Sequence, residues 1–244
     1  MIQNNYRFFS QKQSIKVSFQ AKTYHSSIFR NFKAIDAGEF RQVVRYYERN
    51  EKAILQLEFE EYFEMLIVYT NALFEISEYQ KHILMSNVVI ETSIMENIQI
   101  VNGQEVFKSM LFRKAASHYN LFEYKKAIHV LRELLKIEPN NTENALFLEQ
   151  CLRNDQPHLA RYARAAAIFL FLLSALTVSV EVLFVRHFYQ ESAPIIELSR
   201  NLMFFLGFTI LVIGTVWHRW QSHSEVQKFI QEIRKTKKHN HISR

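Results

Sequence analysis

The chain has 244 residues, 30 Lys and Arg against 24 Asp and Glu (formal charge +6), and only four Gly and three Pro. So few turn residues exclude turn-rich β architectures and favour long, uninterrupted helices. Cys151 is the single cysteine, which excludes an internal disulfide framework; its default place is as a small buried hydrophobe in a helix.

Charge gathers at the two ends. Residues 1–35 carry six Lys/Arg and no acid, and residues 219–244 carry seven against Glu225 and Glu232. Basic ends point to anionic lipid or to nucleic acid. Apolar spans in the same chain make lipid the simpler partner, and nucleic acid is disfavoured. Residues 1–23 are polar, basic and dotted with aromatics, and are expected either to be disordered or to cover the first helices. The first 35 residues lack the apolar core expected of a signal peptide.

Residues 24–158 read as successive helices. Helical spacing is clear in Tyr62, Met65, Leu66, Tyr69 and Leu73, and again in Ala127, Ile128, Leu131, Leu134 and Leu135. One turn recurs, as Asp36-Ala37-Gly38-Glu39-Phe40, Ile76-Ser77-Glu78-Tyr79 and Leu121-Phe122-Glu123-Tyr124, each ahead of an amphipathic helix. The acid suits the positive end of the helix dipole, and the aromatic is expected to pack back on the preceding helix.

Residues Leu111, Ala115, Tyr124, Ala127, Leu131, Leu134 and Pro139 give segment 108–141 a pattern that resembles the tetratricopeptide repeat (TPR). The segment 142–153 then looks like the first helix of an incomplete further repeat, which would cap the stack. The aromatics Phe40, Tyr79 and Tyr124 are 39 and 45 residues apart, against about 34 in that family. An insertion at Asn102-Gly103 accounts for the longer interval. The resemblance implies a groove lined by the first helices of each pair, at Glu64, Ile67, Asn71, Phe74, Phe112, Ala116, Tyr119 and Asn120. Asn71 and Asn120 would bond an extended peptide's backbone, and Phe112 and Tyr119 would anchor its apolar groups. Ile28 and Phe32 stand where some members clamp a C-terminal carboxylate, so that clamp is not expected; Arg113 is its one remnant.

Residues 159–218 hold two apolar stretches. The run 165–185 has 13 Leu, Ile, Val or Phe and one charge, Glu181. Each of those apolar residues favours insertion by roughly 0.3–0.6 kcal/mol, while one carboxylate costs about 3 kcal/mol at most, so insertion wins. The second run, about 202–218, is uncharged from Leu202 to Trp217 and ends near an aromatic pair, Trp217 and Trp220. Arg161 and Arg164 precede the first span, and Arg219 and four Lys/Arg of 234–238 follow the second. The positive-inside rule therefore puts both termini in the cytoplasm and the short loop on the outer side. Ala167, Ser174 and Glu181 recur every seven residues, as do Gly207 and Gly214. These small stripes are expected to face each other or a partner span.

The segment 219–244 places Val226, Phe229, Ile230 and Ile233 on one stripe of an amphipathic helix. That stripe would lie on anionic headgroups or dock on the helical domain. No catalytic, phosphate-binding or metal-binding constellation stands out, so neither enzyme activity nor a cofactor is expected. The expected protein is all-α: a TPR-like domain followed by a two-helix transmembrane hairpin. Its expected role is a membrane-anchored scaffold or adaptor for a protein partner. The alternative is a sensor or accessory subunit of a membrane complex acting through the hairpin and Glu181; a membrane protein or a second copy of the chain is a further expected partner.

Overall fold

A computed structural model describes residues 25–101, 103–155, 158–180, 182–183 and 193–242. The described chain is helical apart from one short β hairpin. It divides into two compact units, Met1–Leu134 and Leu135–Arg244.

The first unit contains α1 (Ser27–Lys33), α2 (Phe40–Ile54), α3 (Phe59–Glu75), α4 (Tyr79–Met95), α5 (Val106–Asn120) and most of α6 (Tyr124–Ile137). Through α5, each helix packs on the next. Their apolar stripes meet in one core, in which Phe63, Met65, Leu66, Leu73, Val89 and Met110 are almost fully buried. In α6, Ala127, Leu131 and Leu134 are buried in the same way. Burying each such large side chain is worth about 1.5–3 kcal/mol, which outweighs the weak helix propensity of the β-branched and aromatic residues here.

The turns that end α3 and α5 are built alike. Ser77 (φ 66°) and Phe122 (φ 60°) both take the left-handed conformation. Behind them, the Glu78 N–H donates to the Leu73 carbonyl and the Glu123 N–H to the His118 carbonyl, both at 2.9 Å. This double-bonded cap satisfies carbonyls that a helix end leaves open, and normally uses glycine. Tyr79 then packs edge-on to Phe74 (5.7 Å between ring centres) and Tyr124 edge-on to Tyr119 (5.4 Å). Both aromatics thus fold back on the preceding helix. The Asp36–Phe40 turn differs, with no left-handed residue.

Asn97 (φ 54°) ends α4 with the same cap. There the chain enters the hairpin, β1 (Ile100–Val101) against β2 (Gln104–Glu105), with Ile100 opposite Glu105 and Val101 opposite Gln104. Gly103 supplies the positive φ of 80° that this tight turn requires.

The second unit contains α7 (Thr142–Asp155), α8 (His158–Val180) and α9 (Ala193–Ile242). The Asn141 side-chain oxygen caps α7, accepting from the N–H groups of Glu143 and Asn144 at 3.0 and 3.2 Å. Helix α9 runs unbroken for 50 residues, about 75 Å. The hydropathy boundary at 218/219 is thus not a structural one, because neither Gly nor Pro follows Gly214.

Helix α9 runs antiparallel to α8 and then to α7. Gly214 faces Ala163, Gly207 faces Leu170 and Phe171, and the rings of Phe204 and Phe171 are 5.4 Å apart. Farther along, His223 reaches Glu149 (3.2 Å) and Arg234 reaches Asn140 (2.9 Å). Hydropathy draws a domain boundary at 158/159. The compact units instead divide inside α6, because α7 packs on α9. The basic segment 1–23 and Glu181 lie outside the described residues.

Candidate functional site

Helices α1, α3 and α5 carry alternating charge. Helix α1 holds Arg30 and Lys33; α3 holds Glu60, Glu61, Glu64 and Glu75 with no cation; α5 holds Lys108, Arg113 and Lys114 with no acid. Ion pairs connect neighbours across this series. Lys33 pairs with Glu64, and Arg113 donates to Glu75 at 2.9 Å while its guanidinium lies 5.3 Å from the Phe74 ring centre. Half-exposed pairs of this kind contribute about 0–1 kcal/mol each, so they fix register more than they stabilise. Nearer the start of α3, Glu61 accepts from the Ser26 N–H (3.0 Å) and lies 3.2 Å from His25 Nδ1. Burial pushes its carboxyl up, but the hydrogen bonds from Ser26 and His25 hold it below the usual range.

These contacts sort the groove residues expected from the sequence. Glu64 is committed to Lys33, and Phe74 is enclosed by Tyr79, His82 and Arg113. Ile67 and Asn71 on α3, and Phe112, Ala116 and Tyr119 on α5, are half-buried, while Asn120 is exposed. Phe112 and Tyr119 are therefore neither free surface nor closed core. The Oδ1 of Asn71 is buried and lacks a hydrogen-bond partner among the described residues. A buried acceptor left unpaired costs about 1–3 kcal/mol, so it marks a place where another donor would be welcome.

Behind this face, His82 is fully buried between α4 and α5, with Nδ1 2.7 Å from the Ser117 hydroxyl. Burial, aided by the nearby Arg113 and His118, lowers its pKa to about 4. It is a neutral packing residue at neutral pH. At the next turn, Glu123 binds Lys126 and His118, both at 2.7 Å, and these bonds hold its carboxyl below the ordinary range. The Cys151 thiol is buried, and that burial pushes it up to about 12. It is not poised as a nucleophile.

In the second unit, the interhelical seam is built from small residues. Ala167 and Ser174 are buried, as is Gly207. A Cβ at Gly214 would stand 2.5 Å from that of Ala163, and one at Gly207 would stand 3.2 Å from Leu170 and Phe171. Glycine is therefore required at Gly214, while at Gly207 a side chain would have to displace Leu170 and Phe171 slightly. The seam continues beyond the apolar stretch through Ser222, Val226 and Ile230, all about 5% exposed or less. The outer faces are the reverse. Phe169, Leu172, Leu176, Phe205, Phe208 and Ile213 are 55–66% exposed. Both helices are long and apolar enough to cross a membrane.

Two surfaces are open to the stripe Val226, Phe229, Ile230 and Ile233, headgroups or protein; here α9 packs on α7. Near its end, Lys237 also donates to the Ile137 carbonyl at 3.0 Å, closing the end of α6.

Sequence reasoning missed Phe122, which is 78% exposed in its left-handed turn. Only its place in the recurring turn could have drawn attention to it. Comparison with protein-family models, with curated proteins and with solved structures finds no match.

Proposed function

We propose that the chain is a membrane-anchored scaffold, with α8 and the apolar part of α9 in lipid and a TPR-like helical stack that holds a protein segment. The anchor rests on the outward-facing apolar side chains. Leaving six such groups in water rather than burying them would cost about 1.5–3 kcal/mol each. The sum rivals the whole net stability of a typical domain, about 5–15 kcal/mol. Lipid removes that cost. A soluble core helix would bury these groups, and a signal sequence would stand near the N-terminus.

The repeat-like reading is supported by the twin turns at Ser77 and Phe122, with their matching caps and fold-back aromatics. The binding reading is carried by the face of α3 and α5, where the unpaired Asn71 Oδ1 is found on the same elements as half-buried Ile67, Phe112 and Tyr119. An extended segment would offer Asn71 a backbone N–H and rest apolar groups on the rings. The arginines before the first span and the basic residues after the second favour both termini in the cytoplasm.

The test is photo-crosslinking in native membranes from Ile67 and from Tyr119, with Leu84 on the exposed side of α4 as control. One partner should be captured from both groove positions and not from the control, and Asn71→Ala should reduce that capture. Equal capture from Leu84, or capture indifferent to Asn71→Ala, rejects the groove.

A further inference from the structure

The turn after α5 carries an anomaly. Three turns among the described residues place a residue other than glycine in the left-handed region: Ser77, Asn97 and Phe122. Asn tolerates that conformation and Ser is small, but a bulky aromatic there is a true outlier. Strain of this kind persists where something else is gained. Packing within the chain is not that gain, since the Phe122 ring is 78% exposed. Among the described residues its ring neighbour is Tyr124, at 6.2 Å and nearly perpendicular. Tyr124 in turn meets half-buried Tyr119, so three aromatic rings are grouped at the turn.

The surroundings are cationic. Lys125 and Lys126 are exposed in the first turn of α6, and Lys114 is half-buried on α5. The turn's own carboxylate, Glu123, is already engaged by Lys126 and His118. We infer that this turn is a docking point for a protein segment that presents an apolar side chain flanked by carboxylates. The apolar group packs on Phe122 and Tyr119, and the carboxylates face Lys125 and Lys126. A bilayer is the poorer fit, because one exposed ring and two lysines offer little area for insertion but enough to seat one side chain. The inference rests on the scaffold reading and names the partner's chemistry.

The full-length chain in detergent is titrated with three labelled peptides: Asp-Asp-Phe-Asp-Asp, its Lys-for-Asp counterpart, and its Gly-for-Phe counterpart. The first should bind, and the other two should bind at least about tenfold more weakly. Phe122→Gly should weaken binding about tenfold while raising Tm, because glycine relieves the turn. Lys125→Gln should weaken it about threefold and flatten its salt dependence. Binding lost with Phe122→Gly but indifferent to Asn71→Ala keeps the turn and sinks the groove. Binding lost with Asn71→Ala but indifferent to Phe122→Gly does the opposite. No binding of the first peptide, or equal binding of the Lys peptide, overturns the inference. So does a blue shift of Phe122→Trp emission on transfer to phosphatidylserine nanodiscs, which would put the ring in lipid.

Discussion

The two units use the same side chains in opposite ways. In the first, Phe63, Leu66 and Leu73 are at most 1% exposed. In the second, Phe169, Leu172 and Phe205 are about two-thirds exposed, while Ala167, Ser174 and Gly207 fill the seam. The difference shows that apolar character does not say which way a helix faces. Where water surrounds the helices, large residues gather inside because burial is rewarded. Where the surroundings are as apolar as leucine, close backbone approach decides, and small residues occupy the contact.

The contrast can be broken most forcefully on the outward faces. Leu172→Lys with Phe208→Lys should abolish membrane retention, since the pair costs about 5–7 kcal/mol of insertion free energy. Alkaline extraction of membranes reads this directly, and a doubly substituted chain that still pellets would deny that these faces meet lipid. The matching change on the first unit, Leu84→Lys, should leave both retention and Tm unchanged, because Leu84 is an exposed side chain on α4.

Next in size is the interior of the first unit. Phe63→Ala should destabilise it by about 3–5 kcal/mol, seen as a lower urea midpoint for the helical signal with membrane retention intact. Comparable loss of retention would mean that the two units do not rely on different surroundings.

Acid gives a smaller, pH-dependent effect. The folded pKa of His82, about 4, lies below its unfolded value near 6.5. The unfolded chain therefore binds the extra proton between these limits, and stability falls as pH drops from 6.5 to 4. The loss should approach about 3 kcal/mol. His82→Leu should flatten this part of the stability–pH curve. An unchanged slope in the variant would assign the acid sensitivity elsewhere. Smallest is Phe122→Gly, which should raise stability by about 1–2 kcal/mol by relieving the left-handed turn.

Much of this contrast was legible in the sequence. Periodicity located the helices, and the recurring acid–aromatic pair located twin turns whose rings do fold back. Hydropathy found both apolar stretches, and the seven-residue spacing of Gly207 and Gly214 pointed to a seam. Three features were not legible, each for a physical reason. The unbroken course of α9 was hidden because hydropathy changes at Arg219 while helix propensity does not. The pairing of α7 with α9 depends on contacts about 70–90 residues apart, such as His223 with Glu149 and Arg234 with Asn140, which no local pattern encodes. The engagement of Glu64 by Lys33 and of Phe74 by Arg113 joins separate helices, which no local pattern encodes. The strain at Phe122 left no glycine to announce it.

The central claim is that the outer faces of α8 and α9 meet hydrocarbon. Nitroxide labels at Phe169→Cys and Phe205→Cys, in a Cys151→Ser chain reconstituted in bilayers, test it by collision with oxygen and with a water-soluble nickel complex. Both labels should collide readily with oxygen and hardly with nickel. Ready collision with nickel would place these faces in water, and poor collision with both reagents would place them inside protein.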